Sequence, residues 1–122
     1  MNRTELEAQI VQTYQTAPEH PWSRHPGYAV FRHKQNRKWF AVIMDLPKSA
    51  LGLTNPGTVD VLNLKCDPIL IGALRSTPGF YPAYHMSKTH WISITLDGTA
   101  EGDTILQLLA MSYALTAPAQ KP

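Results

Sequence analysis

At 122 residues and 13.6 kDa the chain is long enough for one domain with its own core and too short for two. Apolar residues make up 43% and charged residues 16%, which excludes a disordered polyelectrolyte, and no apolar run approaches the ~18 residues of a membrane span. The single cysteine, Cys66, excludes an internal disulfide framework or a CxxC site, and the polar, acidic start Met1-Asn2-Arg3-Thr4-Glu5-Leu6-Glu7 is unlike a secretory signal, so the expected compartment is the cytosol.

The net charge of +2 is unevenly spread. Both ends of the chain are acidic, while residues 22–96 hold nine Lys/Arg against Asp45, Asp60 and Asp67. The densest run is Arg32-His33-Lys34-Gln35-Asn36-Arg37-Lys38, a segment able to attract phosphates.

In chain order, Thr4 with Glu7 three residues on reads as a capping box that opens a first helix, with Leu6, Ile10 and Tyr14 on one stripe. Pro18 and Pro21 end it, and Ala17 to Gly27 reads as loop. Tyr28 to Arg32 and Lys38 to Leu46 read as a β-hairpin turning at Gln35-Asn36, with a basic tip. Pro47 to Gly57 is loop and Thr58 to Leu64 a third strand. Asp67 and Pro68 suit the cap and first position of a second helix, with Ile69, Leu70, Ala73 and Leu74 as its apolar face, until Pro78-Gly79. Ala83 to Met86 and Thr89 to Leu96 read as a second hairpin turning at Ser87-Lys88. Asp103 is the expected cap of a third helix, apolar nearly all round from Ile105 to about Leu115, and Thr116 to Pro122 is expected to fray.

The order α-β-β-β-α-β-β-α predicts an α+β domain: a mainly antiparallel sheet with three helices on one face and the other partly open. Alternation assigns Phe40, Val42, Met44, Ile92, Ile94 and Leu96 to the helix side, packed under Ile105, Leu108, Leu109 and Tyr113. Trp39 and Trp91 then face outward beside the basic hairpin.

Several segments resemble the MmcQ/YjbR family of small bacterial proteins, for which DNA binding is proposed. They are Asn63-Leu64-Lys65-Cys66-Asp67-Pro68, Leu74-Arg75, Leu96-Asp97-Gly98, Ser112-Tyr113 and the run Tyr81-Pro82-Ala83-Tyr84-His85-Met86-Ser87-Lys88-Thr89-His90-Trp91. The spacing of His85, Lys88, His90 and Trp91 is the most specific part, and the basic hairpin leading into Trp39-Phe40-Ala41 also matches. The resemblance implies a two-layer fold of the secretion-chaperone-like class, α-β3-α-β2-α, and a double-wing arrangement of hairpins. It carries no residue-level site.

Other chemistry finds little support in the residues. In a regular second hairpin His85 and His90 would stand opposite one another, but two imidazoles are too few for a closed zinc site, and ring pairing with backbone hydrogen bonds is expected. Cys66 lies before a helix N-terminus, where the dipole lowers a thiol pKa, yet no nucleophile elbow accompanies it; a half-buried strand-end role is expected. There is no phosphate loop and no carboxylate pair in the resembling segments, so neither catalytic residues nor a cofactor nor a metal is expected. The expectation is a non-enzymatic protein, a monomer or weak homodimer, binding DNA through two basic wings. Arg32, Lys34, Arg37, Lys38 and Lys88 supply the charge, His90 and Trp91 shape the second wing, and aromatics such as Trp39 and Tyr84 can stack. The rival reading is a protein-interaction or self-association module that uses the open sheet face.

Overall fold

A computed structural model describes residues 1–119; Gln120, Lys121 and Pro122, the last part of the expected frayed tail, lie outside the described residues. The elements are α1 (Arg3–Tyr14), β1 (Ala29–Arg32), β2 (Trp39–Pro47), a 3-10 turn (Lys48–Leu51), β3 (Thr58–Lys65), α2 (Pro68–Leu74), β4 (Phe80–Pro82), β5 (Trp91–Thr95) and α3 (Gly102–Thr116). The five strands form one antiparallel sheet in the order β1-β2-β3-β5-β4, so the α+β class and the order of elements are as the pattern implies.

Helix starts follow local hydrogen-bonding chemistry. In α1 the capping box is Asn2 with Glu5, not Thr4 with Glu7: Asn2 Oδ1 accepts from the Glu5 N–H at 2.9 Å, and the Glu5 carboxylate accepts from the Asn2 N–H at 3.1 Å. Glu7 instead pairs with Arg3 one turn back. Asp67 caps α2 as expected, accepting from the Ile69 N–H at 2.8 Å. That short helix buries Ile71, while Ile69, expected on its apolar face, is 88% exposed. In α3 the cap position falls to Glu101, without a side-chain bond, and Asp103 sits inside the first turn where it favours the helix dipole. Leu115 is half exposed, so α3 is not buried all round to its end, but Thr116 is buried rather than frayed.

The helix face of the sheet is the main core. Ala41, Ile43, Leu62, Leu64, Ile92 and Ile94 pack there with Leu6 and Ile10 of α1 and Ile105, Leu108 and Leu109 of α3. Trp39 does lie off this face, as expected, but Val42 and Met44 do not lie on it. The pairing of β1 with β2 slips between Phe31↔Ala41 and Arg32↔Trp39, leaving Phe40 as an extra residue. This β-bulge puts Phe40 and Ala41 on the same side and inverts the alternation beyond it. Ser112 of α3 satisfies the bulge: its hydroxyl donates to the Phe40 carbonyl at 2.6 Å and accepts from the Lys65 N–H at 2.9 Å.

Val42, Met44 and Leu46 join Val30, Val59 and Val61 in a second apolar cluster on the opposite face. Trp22, Tyr28, Trp39, Ala50, Leu51, Tyr84 and Met86 cover it, so the expected partly open face is a concavity between loops rather than a bare sheet. The loop before β1 is held there by a bridge in which Glu19 and Val30 exchange N–H···O bonds of 2.9 Å, which also covers the edge strand.

The expected strand Ala83–Met86 is absent. β4 is Phe80–Pro82, with Phe80 opposite Ile94 and Pro82 opposite Ile92. His85 takes φ +55°, a left-handed conformation that no strand accommodates, and the Tyr84 N–H turns to the Ser93 hydroxyl at 2.9 Å. His85 and His90 are therefore not cross-strand partners: the His85 ring stacks on Tyr84, and His90 joins a turn in which its carbonyl accepts from the Cys66 N–H.

Candidate functional site

Antiparallel connectivity brings the end of β1, the start of β2, the ends of β3 and β4 and the start of β5 to one edge of the sheet. The β1–β2 turn and the turn-rich segment 83–90 both lie at that edge. With strands about 4.8 Å apart, β2 and β5 are separated by about 10 Å and β1 and β4 by about 19 Å.

The first turn is rigid. His33, second in the basic run, is 5% exposed. Its Nε2 lies 3.0 Å from the Tyr113 carbonyl and 2.8 Å from the Thr116 hydroxyl. The Thr116 hydroxyl itself donates to the Ser112 carbonyl at 2.8 Å, so both groups accept from a proton on Nε2. Asn36 Nδ2 donates to the Thr116 carbonyl at 2.9 Å. The hairpin thus caps the C-terminal carbonyls of α3, which a helix leaves unsatisfied. Burial lowers the His33 pKa, partly opposed by the bond to Tyr113.

The cations of the run have divided fates. Glu19 takes Arg37 through both carboxylate oxygens at 3.1 Å and lies 3.3 Å from Arg32 Nε. Arg32 also sits over the Trp39 ring, 5.5 Å from its centroid. Lys34 and Lys38 are exposed and form no ion pair among the described residues. In the second turn the Lys88 ammonium donates to the Ala83 carbonyl at 3.1 Å and Arg75 to the Lys88 carbonyl at 2.7 Å, which fixes the loop while Lys88 stays exposed. His90 is exposed, and half-buried Trp91 stands opposite Lys65. All seven residues expected at the wings therefore lie at or next to one edge, but Arg32 and Arg37 already share one carboxylate, that of Glu19. Cys66 is 3% exposed, buried rather than half-buried as expected, and burial raises its thiol pKa, partly opposed by a backbone hydrogen bond at Asp67.

Sequence reasoning missed a cavity of about 420 Å³ on the face opposite the helices. Trp22, Tyr28, Trp39 and Tyr84 wall it with His25 and His85, over a floor that includes Val42, Met44 and Asn63. The rings are ordered as pairs: His25 stacks on Tyr28 at 4.4 Å, His85 on Tyr84 at 4.0 Å, and Trp22 meets Trp39 edge-on at 5.5 Å. Trp22 and His25 come from the proline-rich loop, which has no periodicity to expose them; the one signal is two histidines, His20 and His25, flanking a tryptophan in that loop.

A family model described as YjbR matches residues 11–115. The uncharacterised protein YyaQ of Bacillus subtilis (strain 168) is 40% identical over 116 residues, covering 95% of this chain and 98% of YyaQ. A Pseudomonas syringae protein solved by crystallography superposes with a TM-score of 0.94 at 45% identity, covering 96% of this chain and all of that one. The fold alone is shared with Deinococcus radiodurans protein DR2400, at a TM-score of 0.71 and 24% identity over 93% of this chain and 77% of that one.

Proposed function

The chain belongs to the YjbR family, and we propose that it is a non-enzymatic, cytoplasmic DNA-binding protein that grips backbone phosphates with the two turns at one edge of its sheet. The observation that carries this reading is the shared placement of the two turns, each presenting exposed lysine: Lys34 and Lys38 from the first, Lys88 from the second. The first turn is anchored to α3 and the second tied down by Arg75, so little ordering entropy opposes binding. Arg32 and Arg37 serve mainly to hold the loop before β1 through Glu19, and His90 and Trp91 support the second turn. Lysine contacts to phosphate position a protein on DNA without reading its sequence, so the expected binding is weak and largely sequence-independent.

The test is a titration of labelled duplex against the wild type and a Lys34→Ala/Lys38→Ala/Lys88→Ala variant. The variant is expected to bind every duplex sequence more weakly by a similar factor and to lose most of the salt dependence. A variant that binds like the wild type would refute the assignment of these lysines.

A further inference from the structure

The aromatic cavity plays no part in phosphate contact by the turns. Its size of about 420 Å³ falls within the usual range for small-ligand sites, roughly 300–1,000 Å³. No Asp, Glu, Lys or Arg lines it. Its walls are ring faces and edges, which select a flat, polarisable group. Cations stand just outside. Arg32 lies over Trp39 on one side, and on the other Lys88 lines an adjoining cavity that shares Tyr84 and His85.

The floor includes one buried polar residue. Asn63 is fully buried; its Nδ2 donates to the Tyr84 carbonyl at 3.0 Å and its Oδ1 accepts from the Ser93 hydroxyl at 2.5 Å. The bond to the Tyr84 carbonyl holds that residue in the cavity wall. At the rim, His85 is held at φ +55°, a conformation uncommon for a residue with a side chain, and this presents its ring flat against Tyr84.

From these features we propose that the cavity binds a single nucleobase, stacked among Trp22, Trp39 and Tyr84, with the attached phosphate turned toward Arg32 or Lys88. The base comes either from a free nucleotide or from an unpaired position in a strand held at the neighbouring turns; the second source rests on the DNA-binding reading, the first does not. A duplex without an unpaired base cannot use the site.

Adenosine monophosphate, ribose 5-phosphate, an oligodeoxyadenylate and a fully paired duplex would each be titrated, following tryptophan fluorescence and the indole N–H shifts of Trp22 and Trp39. The proposal predicts that adenosine monophosphate and the single strand quench fluorescence and move both indole signals, while ribose 5-phosphate does neither. Tyr84→Ala should weaken base-dependent binding by a factor of five to about a hundred, the range for loss of one stacking partner. His85→Ala, at an exposed position, gives a second test should Tyr84→Ala fold poorly. If the mononucleotide binds and the duplex does not, the base site stands and the turns are not a DNA interface. If the duplex binds while neither mononucleotide nor single strand moves the Trp22 and Trp39 signals, the base site is wrong and the DNA reading survives. If none of the four probes binds, both fall.

Discussion

His33 lies within a run of cations yet behaves as a core residue, with Nε2 committed to Tyr113 and Thr116 and its ring packed between Phe40 and Tyr113. Burial lowers its pKa below the ordinary ~6.5 of histidine. Between that value and the lower folded one, the unfolded chain holds a proton that the native chain lacks, so stability rises with pH. The contribution is complete above the unfolded value and is lost as pH falls toward the folded one. Urea midpoints measured from about pH 7.5 to 5 should therefore fall less steeply for His33→Gln than for the wild type; parallel curves would mean that His33 is not the group responsible. At Gly79 the constraint is backbone conformation. Its φ is +90°, and an added Cβ would lie 3.2 Å from the Ala100 nitrogen and 3.3 Å from the Thr99 side chain. Gly79→Ala is expected to cost more than about 1 kcal/mol in chemical denaturation.

Secondary-structure elements were legible wherever alternation or capping ran uninterrupted. The paired aliphatics Ile92 and Ile94 and the stripe Ile105, Leu108 and Leu109 announced β5 and α3, and Asp67-Pro68 announced α2. The face of β2 was not legible, because alternation counts residues and the bulge at Phe40 adds one. Nothing local marks that bulge; its carbonyl is satisfied by Ser112, 72 positions away. The segment Ala83–Met86 failed for a related reason. Its composition suits a strand, but tertiary contacts to Ser93 and Asn63 turn it across the sheet, which made Tyr84 a wall of the cavity and separated His85 from His90. The exposed lysines of the two turns could be read from charge alone, whereas the pairing of their arginine neighbours could not, since Glu19 lies in a loop with no pattern to place it. Two substitutions test the packing at this scale. Leu109→Ala should cost about 2–5 kcal/mol by opening a cavity under β2 and β3. Ser112→Ala should cost about 2–3 kcal/mol, because it strands the Phe40 carbonyl and the Lys65 N–H in a buried setting. Losses below about 1 kcal/mol in either would place α3 outside the energetic centre of the fold.

The whole molecule has two unlike faces and one distinctive edge. One face is the helix-covered core, the other a loop-covered aromatic cluster, and the edge gathers both turns with Arg32, Lys34, Arg37, Lys38, Lys65, Arg75 and Lys88 against Glu19 and Asp67. Among the described residues no helix is long and apolar enough to cross a membrane. With four of the basic residues of the turns each meeting one phosphate, about four counterions would be released; the pairing of Arg37 with Glu19 lowers the expected number to three, from Lys34, Lys38 and Lys88. The most direct measurement is the affinity of the wild-type protein for a short duplex as a function of salt. The predicted slope of log affinity against log salt is about −2.7, or roughly 40-fold weaker binding on going from about 50 to 200 mM. A slope near zero, or no retention of duplex even at about 20 mM salt, where phosphate contacts are strongest, would contradict DNA binding by this edge.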